Sequence, residues 1–243
     1  MKHAPLHAPL RTRLLWLVVG LSLAACGGGG DGNDATANAP AAAPTPAPSP
    51  APSPAPAPSP APAPAPVPPL AATAIVLAGQ TLGTATWTEP GDTATGGQGQ
   101  PIDGVSCLTG NAYHVHAHLS IFKDGVQLAI PSAVGRPNTC NYNLHTHDSS
   151  GVIHIEAAAP ATYTLGQFFS VWGRELTDSQ VAEFTGAPIV VYLNDNGDPA
   201  GPRLYSGDIR AIEFAPKREI TIQIGTPLTE LQTYDWSNVG QTD

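Results

Sequence analysis

From Ala39 to Pro69 the chain alternates proline with alanine and serine, ending in PAPVPP, and this run holds more than half of its 27 prolines. Proline fixes φ and has no backbone donor, so neither a helix interior nor a central strand can be built from such a run. It favours extended polyproline II, at about 3.1 Å per residue, which makes a semi-rigid spacer of roughly 90 Å. The Gly-, Asn- and Asp-rich residues 27–38 just ahead of it offer little apolar surface to bury. Folding capacity is therefore confined to residues 70–243, about one domain's worth of chain.

At the N-terminus, Lys2, Arg11 and Arg13 precede an apolar run, Leu14 to Leu23, too short to span a bilayer as a helix. The run ends in Leu23-Ala24-Ala25-Cys26, which resembles the lipobox of bacterial lipoproteins. That resemblance implies a signal peptide over 1–25, cleavage before Cys26, and acyl chains on the sulfur and amine of Cys26. Two or more chains hold a protein at a membrane far more firmly than one. Residues 26–69 then form a disordered linker that lifts the domain away from the surface. Gly27 stands where aspartate would favour the inner membrane, so the resemblance points to the outer membrane. The alternative is an ordinary signal peptide with a chance cysteine.

The formal charge is −9, and cleavage would remove three basic residues and leave the chain more acidic. Such a surface argues against nucleic acid as a partner and is compatible with cation binding. In an oxidising envelope the two remaining cysteines, Cys107 and Cys140, are expected to pair. Closing that loop is worth roughly 3–4 kcal/mol on the chain-entropy account. Thiolate metal ligation is the alternative.

Within 70–243 the hydrophobic pattern is mostly period two, with turn residues at short intervals. Strands are expected over 113–122 and 125–130 around a tight turn at Lys123-Asp124 or Asp124-Gly125, and over 142–147 and 152–157 around Asp148 to Gly151. Further strands are expected over Pro188–Leu193, Arg210–Phe214 and Arg218–Ile224, with weaker ones over Ala74–Leu77 and Ala85–Thr88. Thr164 caps a short helix over Leu165–Trp172 ended by Gly173, whose Phe168, Phe169 and Trp172 pack on the sheet. Thr177 to Gln180 has the form of a capping box opening a second helix to about Phe184. Asn194 to Asp198 has some flavour of a calcium loop, but a hairpin turn at Asn196-Gly197 is the simpler reading. The expected fold class is mainly β: a single antiparallel domain, sandwich or grasp-like α+β sheet, with one or two short helices.

Six of the eight histidines fall in two short segments. On a strand, His114, His116 and His118 share one face and Val115, Ala117 and Leu119 the other. In the second segment a four-residue loop sets His145 opposite His154 and His147 opposite Val152. His145, His147, His154 and Glu156 then share one face, and Leu144, Thr146, Ile153 and Ile155 the other. A one-residue slip would turn His154 away. Directly opposed Cβ atoms lie about 4.5–5.5 Å apart, close enough for two imidazoles to share an ion. Neutral imidazoles so placed suit zinc or copper, with Asp148 and Glu156 as further ligands or as acceptors for imidazole N–H groups. Solvated surface histidines, or a pH-responsive histidine network, are the bland readings.

The segments YHVHAHLSIFKDG, LHTHDSSGVIHIE and YTLGQFFSVWG together resemble an uncharacterised group of extracytoplasmic proteins. That group carries HxHxHLxIFxxG, LHTHDxxGxIHxE and TLGxFFxxWG in this order. The resemblance covers roughly Cys107 to Gly173. It implies that His114, His116, His118, His145, His147, Asp148, His154 and Glu156 form the shared polar set, and it brings no activity with it.

Three function classes remain open from the sequence. The first is a membrane-anchored domain binding copper or zinc for sensing, buffering or delivery; the second is a metalloenzyme with an open histidine-bound ion. The third is a metal-free interaction module. No catalytic residue stands out: within 70–243 there is no GxGxxG, P-loop, GxSxG or HExxH motif, and no serine or cysteine nucleophile with partner spacing.

Overall fold

The structure, a computed structural model, describes residues 66–77, 79–85, 87 and 96–240. The expected signal peptide, Cys26, most of the linker and part of the weak strand at Ala85–Thr88 lie outside the described residues. In chain order the strands are β1 (Ile75–Val76), β2 (Tyr113–Lys123), β3 (Val126–Leu128), β4 (Leu144–His145), β5 (Val152–Ala157) and β6 (Leu176–Thr177). They continue with β7 (Gln180–Val181), β8 (Phe184–Thr185), β9 (Ile189–Asp195), β10 (Arg203–Tyr205), β11 (Arg218–Ile224) and β12 (Tyr234–Asp235); the helix α1 spans Leu165–Trp172. The domain is mainly β with one short α-helix, as the period-two pattern demands.

The main sheet runs β10-β9-β11-β2-β5-β4, and β3 lies along β2 beyond the end of β5. All its pairs are antiparallel except β11 with β2, where Glu219 stands beside His118 and Ile220 beside Leu119. β2 is the spine. Its first half pairs β5, and its second half pairs β11 on the opposite edge and β3 on the same edge as β5. The β2–β3 hairpin closes on Asp124 and Gly125, with φ of 50° and 80°, the left-handed pair that a two-residue primed turn requires.

One face of the sheet is the core. Ala117, Leu119, Ile121, Ile153, Ile155, Leu144, Ile220, Ile222 and Leu193 bury against Phe168, Phe169 and Trp172 of α1. The helix begins with a reciprocal capping box: Thr164 Oγ1 accepts from Gln167 N and Gln167 Oε1 accepts from Thr164 N. It ends on Gly173 in the left-handed conformation, φ 76°. The other face is polar and partly covered. There the short parallel pair β1–β12 and the cluster of Leu77, Val152, Tyr234 and Trp236 form a small second layer.

Two expectations fail. No helix follows Thr177: β6, β7 and β8 make a three-stranded meander instead. Leu176 and Val181 are both fully buried and oppose one another across β6–β7, which a hairpin allows. Five residues apart on a helix, they would point in different directions. Ala182 also sits at φ 51°, outside helical space. Nor is Arg210–Phe214 a strand. The Asp208 carboxylate accepts from Arg210 N and winds Ile209–Ala211 into a 3-10 turn; of the rest, only Glu213 makes a bridge, to Thr164. Asn194 and Asp195 end β9, and Asn196 to Asp198 begin the connection to β10, with the acidic groups engaged elsewhere: Asp195 accepts from Arg203 and Arg218, and Asp198 Oδ1 from Ala200 N.

Candidate metal centre

The register of the sheet places the histidines. His116 opposes His154 across β2–β5, and His154 opposes His145 across β4–β5, so three imidazoles stand in one row over three strands. The loop Asp148 to Gly151 gives the expected β4–β5 register. Gly151 holds φ 86° there, and a Cβ on it would stand 2.4 Å from the Leu119 carbonyl oxygen, so only glycine fits. One step along, His114 opposes Glu156.

The ring nitrogens converge. His114 Nε2 and His116 Nε2 lie 3.2 and 3.1 Å from His154 Nδ1. On the other side His145 Nε2 lies 3.0 Å from His147 Nε2. Glu156 Oε1 stands between the two groups, 3.3 Å from His114 Nε2, 3.7 Å from His145 Nε2 and 3.9 Å from His154 Nδ1. A tetrahedral ion with arms of 2.0–2.1 Å holds its donors roughly 3.3 Å apart, close to these separations. Hydrogen bonding alone accounts poorly for the His114–His116–His154 contact. A neutral imidazole nitrogen has one lone pair, and two partners compete for it at Nδ1. Two overlapping groups could hold a metal ion: His145, His147, His154 with Glu156, and His114, His116 with His154.

His145 is held from behind as a ligand would be. Its Nδ1–H donates to the Tyr142 carbonyl at 2.8 Å, which fixes the tautomer and leaves the Nε2 lone pair facing the cluster. Tyr142 is itself placed by a bridge to Cys107, and Cys107 is joined to Cys140 by the expected disulfide. Burial lowers the pKa of His145 to about 4 and that of His154 to about 2, with neighbouring imidazoles adding to both shifts. Both are therefore neutral near pH 7, the form that binds metals.

Two of the expected polar residues stand apart. His118 is fully buried; its Nε2–H donates to the Ser150 carbonyl at 2.7 Å, the Ser120 hydroxyl lies 3.4 Å from Nδ1, and its ring packs against that of Tyr234, tilted by 33° with centroids 3.7 Å apart. Both nitrogens are engaged, and burial takes its pKa down to about 3. Asp148 turns back into its own loop, accepting from Ser150 N and Oγ, and from Gly79 N. Neither joins a group that could hold an ion.

Sequence reasoning also missed what braces the sheet beside His118. Glu219, next to it in register, accepts from Tyr234 N, Trp236 Nε1 and Asn194 Nδ2, and burial raises its pKa. The alternation of Glu219, Thr221 and Gln223 with isoleucines was the available signal. It gave these three one face but not the partner lying over it. Two cavities open on the cluster: one of about 210 Å³ lined by His147, His154 and Asp148, another of about 270 Å³ lined by His114, His116, Lys217 and Trp236. Val239 borders both.

Comparison with models of protein families, with curated proteins and with solved structures finds no match. What fold and site define is therefore a class only: a mainly β domain with a half-buried histidine and glutamate cluster that could hold a metal ion.

Proposed function

We propose that this chain is a lipid-anchored envelope protein, held at Cys26 and at the outer membrane, whose β domain binds zinc or copper through its clustered histidines for buffering, sensing or delivery. The observation that carries the metal reading is the meeting of three imidazoles from β2 and β5, with His114 Nε2 and His116 Nε2 lying 3.2 and 3.1 Å from His154 Nδ1. The donors are imidazoles and one carboxylate. Both described cysteines are spent in the disulfide and the single methionine is Met1, so no soft sulfur favours Cu(I). The set suits Zn(II) and Cu(II). The lipobox supports the anchor, and the proline run supports a spacer between anchor and domain. Metal analysis of the untagged protein, with competition titrations of Zn(II), Cu(II) and Cu(I), tests the reading: a dissociation constant below micromolar for a divalent ion is expected. Failure of all three to bind that tightly overturns it.

The two cavities favour a second reading, in which a bound ion keeps a position open to a small molecule and activates water. Azide or cyanide shifting the spectrum of the Co(II)-substituted protein supports it. An unchanged spectrum leaves a closed binding site.

A further inference from the structure

Resting on the metal reading, we propose that the histidine face is a two-ion centre: His114, His116 and His154 bind one divalent ion, His145 and His147 a second, and the Glu156 carboxylate bridges them. Nitrogen distances, with ring orientation, separate the groups. The His154 ring is nearly perpendicular to His116, at 89°, so their in-plane lone pairs can cross at one point. Against His147 and His145 it is stacked, at 25° and 14°, with centroids 4.2 and 5.3 Å apart. Its Nδ1 makes its short nitrogen contacts to His114 and His116, at 3.2 and 3.1 Å, while His145 Nε2 and His147 Nε2 make theirs to each other, at 3.0 Å. His154 therefore belongs with His114 and His116, although it lies within reach of both groups.

The remaining pair has what a second ion needs. His145 Nε2 and His147 Nε2 face each other at 3.0 Å, and the Tyr142 carbonyl fixes the His145 tautomer from behind. Five imidazoles are more than one tetrahedral ion takes. Glu156 is the only carboxylate in either group, and its Oε1 lies 3.3 Å from a nitrogen of the first and 3.7 Å from a nitrogen of the second. One carboxylate between two such sets is the usual way of holding two ions, which then sit about 3.5–4 Å apart. Its single negative charge also offsets part of the repulsion between them. The face is approached from two sides: one cavity opens on His114 and His116, the other on His147 and His154.

The test is stoichiometry on the untagged full-length chain. Native mass spectrometry after Zn(II) loading and desalting is expected to show two ions per chain, and one ion in each of His116→Ala and His147→Ala. Two Cu(II) ions bridged by a carboxylate are spin-coupled, so the double-loaded protein should give a half-field EPR signal that Glu156→Gln abolishes. One ion in the unmutated chain overturns the two-ion centre and leaves the metal reading standing; no ion overturns both. Two ions with uncoupled EPR spectra overturn the bridge. The wild-type count and spectrum decide even where a variant fails to fold.

Discussion

His116 and His118 lie two residues apart on one strand and point to the same face, yet the molecule treats them oppositely. His116 is half-buried, faces His154 on β5 and opens on a cavity. His118 is sealed between the Ser150 carbonyl, Ser120 and the Tyr234 ring. The difference comes from the neighbouring strand. At His116 the opposed residue is another imidazole; at His118 it is Val152, over which the small apolar layer closes. A repeated residue on a strand takes its role from what the register sets beside it, so the two positions should respond oppositely to the same substitution. His116→Ala should weaken binding of its ion on the order of 10³-fold, about 4 kcal/mol, while the melting temperature of the metal-free protein stays within a few degrees. Competition titration and calorimetric melting read both.

His118→Ala should do the reverse, costing about 3 kcal/mol of stability through the lost packing and the unpaired Ser150 carbonyl. Zinc affinity should stay within about threefold. A large affinity loss here with intact folding would break the comparison and return His118 to the ligand set.

Acid sharpens it further. The folded pKa of His118 is lowered to about 3, chiefly by burial, from an ordinary value of 6.5. Between those values the unfolded chain binds the proton and the folded one does not, so stability falls as pH drops below about 6.5 and is undiminished above it. One such group contributes up to about 1.4 kcal/mol per pH unit. His145 and His154, depressed in the same direction, add to the loss. In the presence of chelator, denaturant midpoints of wild type and His118→Gln from pH 7 to pH 4 should therefore diverge least in slope at the top and most at the bottom. Parallel curves would mean that His118 charges freely in the fold.

How much of this was legible depends on whether contacts were local. The His145–His154 pairing followed from the length of one hairpin loop, because a four-residue connection with apolar residues alternating on both sides leaves one register that buries them. The capping box at Thr164 was legible for the same reason: its partners lie three residues apart. The pattern at Thr177 misled because a capping box can be spelled without being used, and the burial of Leu176 against Val181 outweighed it. The fate of His118 was not legible at all. It depends on Tyr234 and on β11, which pairs with β2 in parallel through no turn that could fix its register, so alternation assigned His118 a face but no neighbour. The six histidines thus looked equivalent in sequence, and tertiary packing divided them into five and one.

The smallest expected effect probes whether the sealed and open ends of the histidine face communicate. The Tyr234 hydroxyl lies 2.5 Å from Ser120 Oγ and 2.7 Å from Gln232 Oε1, while its ring packs against His118. Tyr234→Phe removes the hydroxyl and keeps the ring. The cost should be about 1 kcal/mol, the ordinary net worth of such hydrogen bonding, read as a small drop in denaturant midpoint. Zinc affinity should not move, because the hydroxyl faces Ser120 and Gln232 rather than the ligand nitrogens. The chain continues from Tyr234 through Trp236 to Val239, however, and those two residues line the cavity over His114 and His116. If Tyr234→Phe changes the zinc dissociation rate while equilibrium stability barely shifts, the C-terminal segment couples the ends, and the division between His116 and His118 is one of degree.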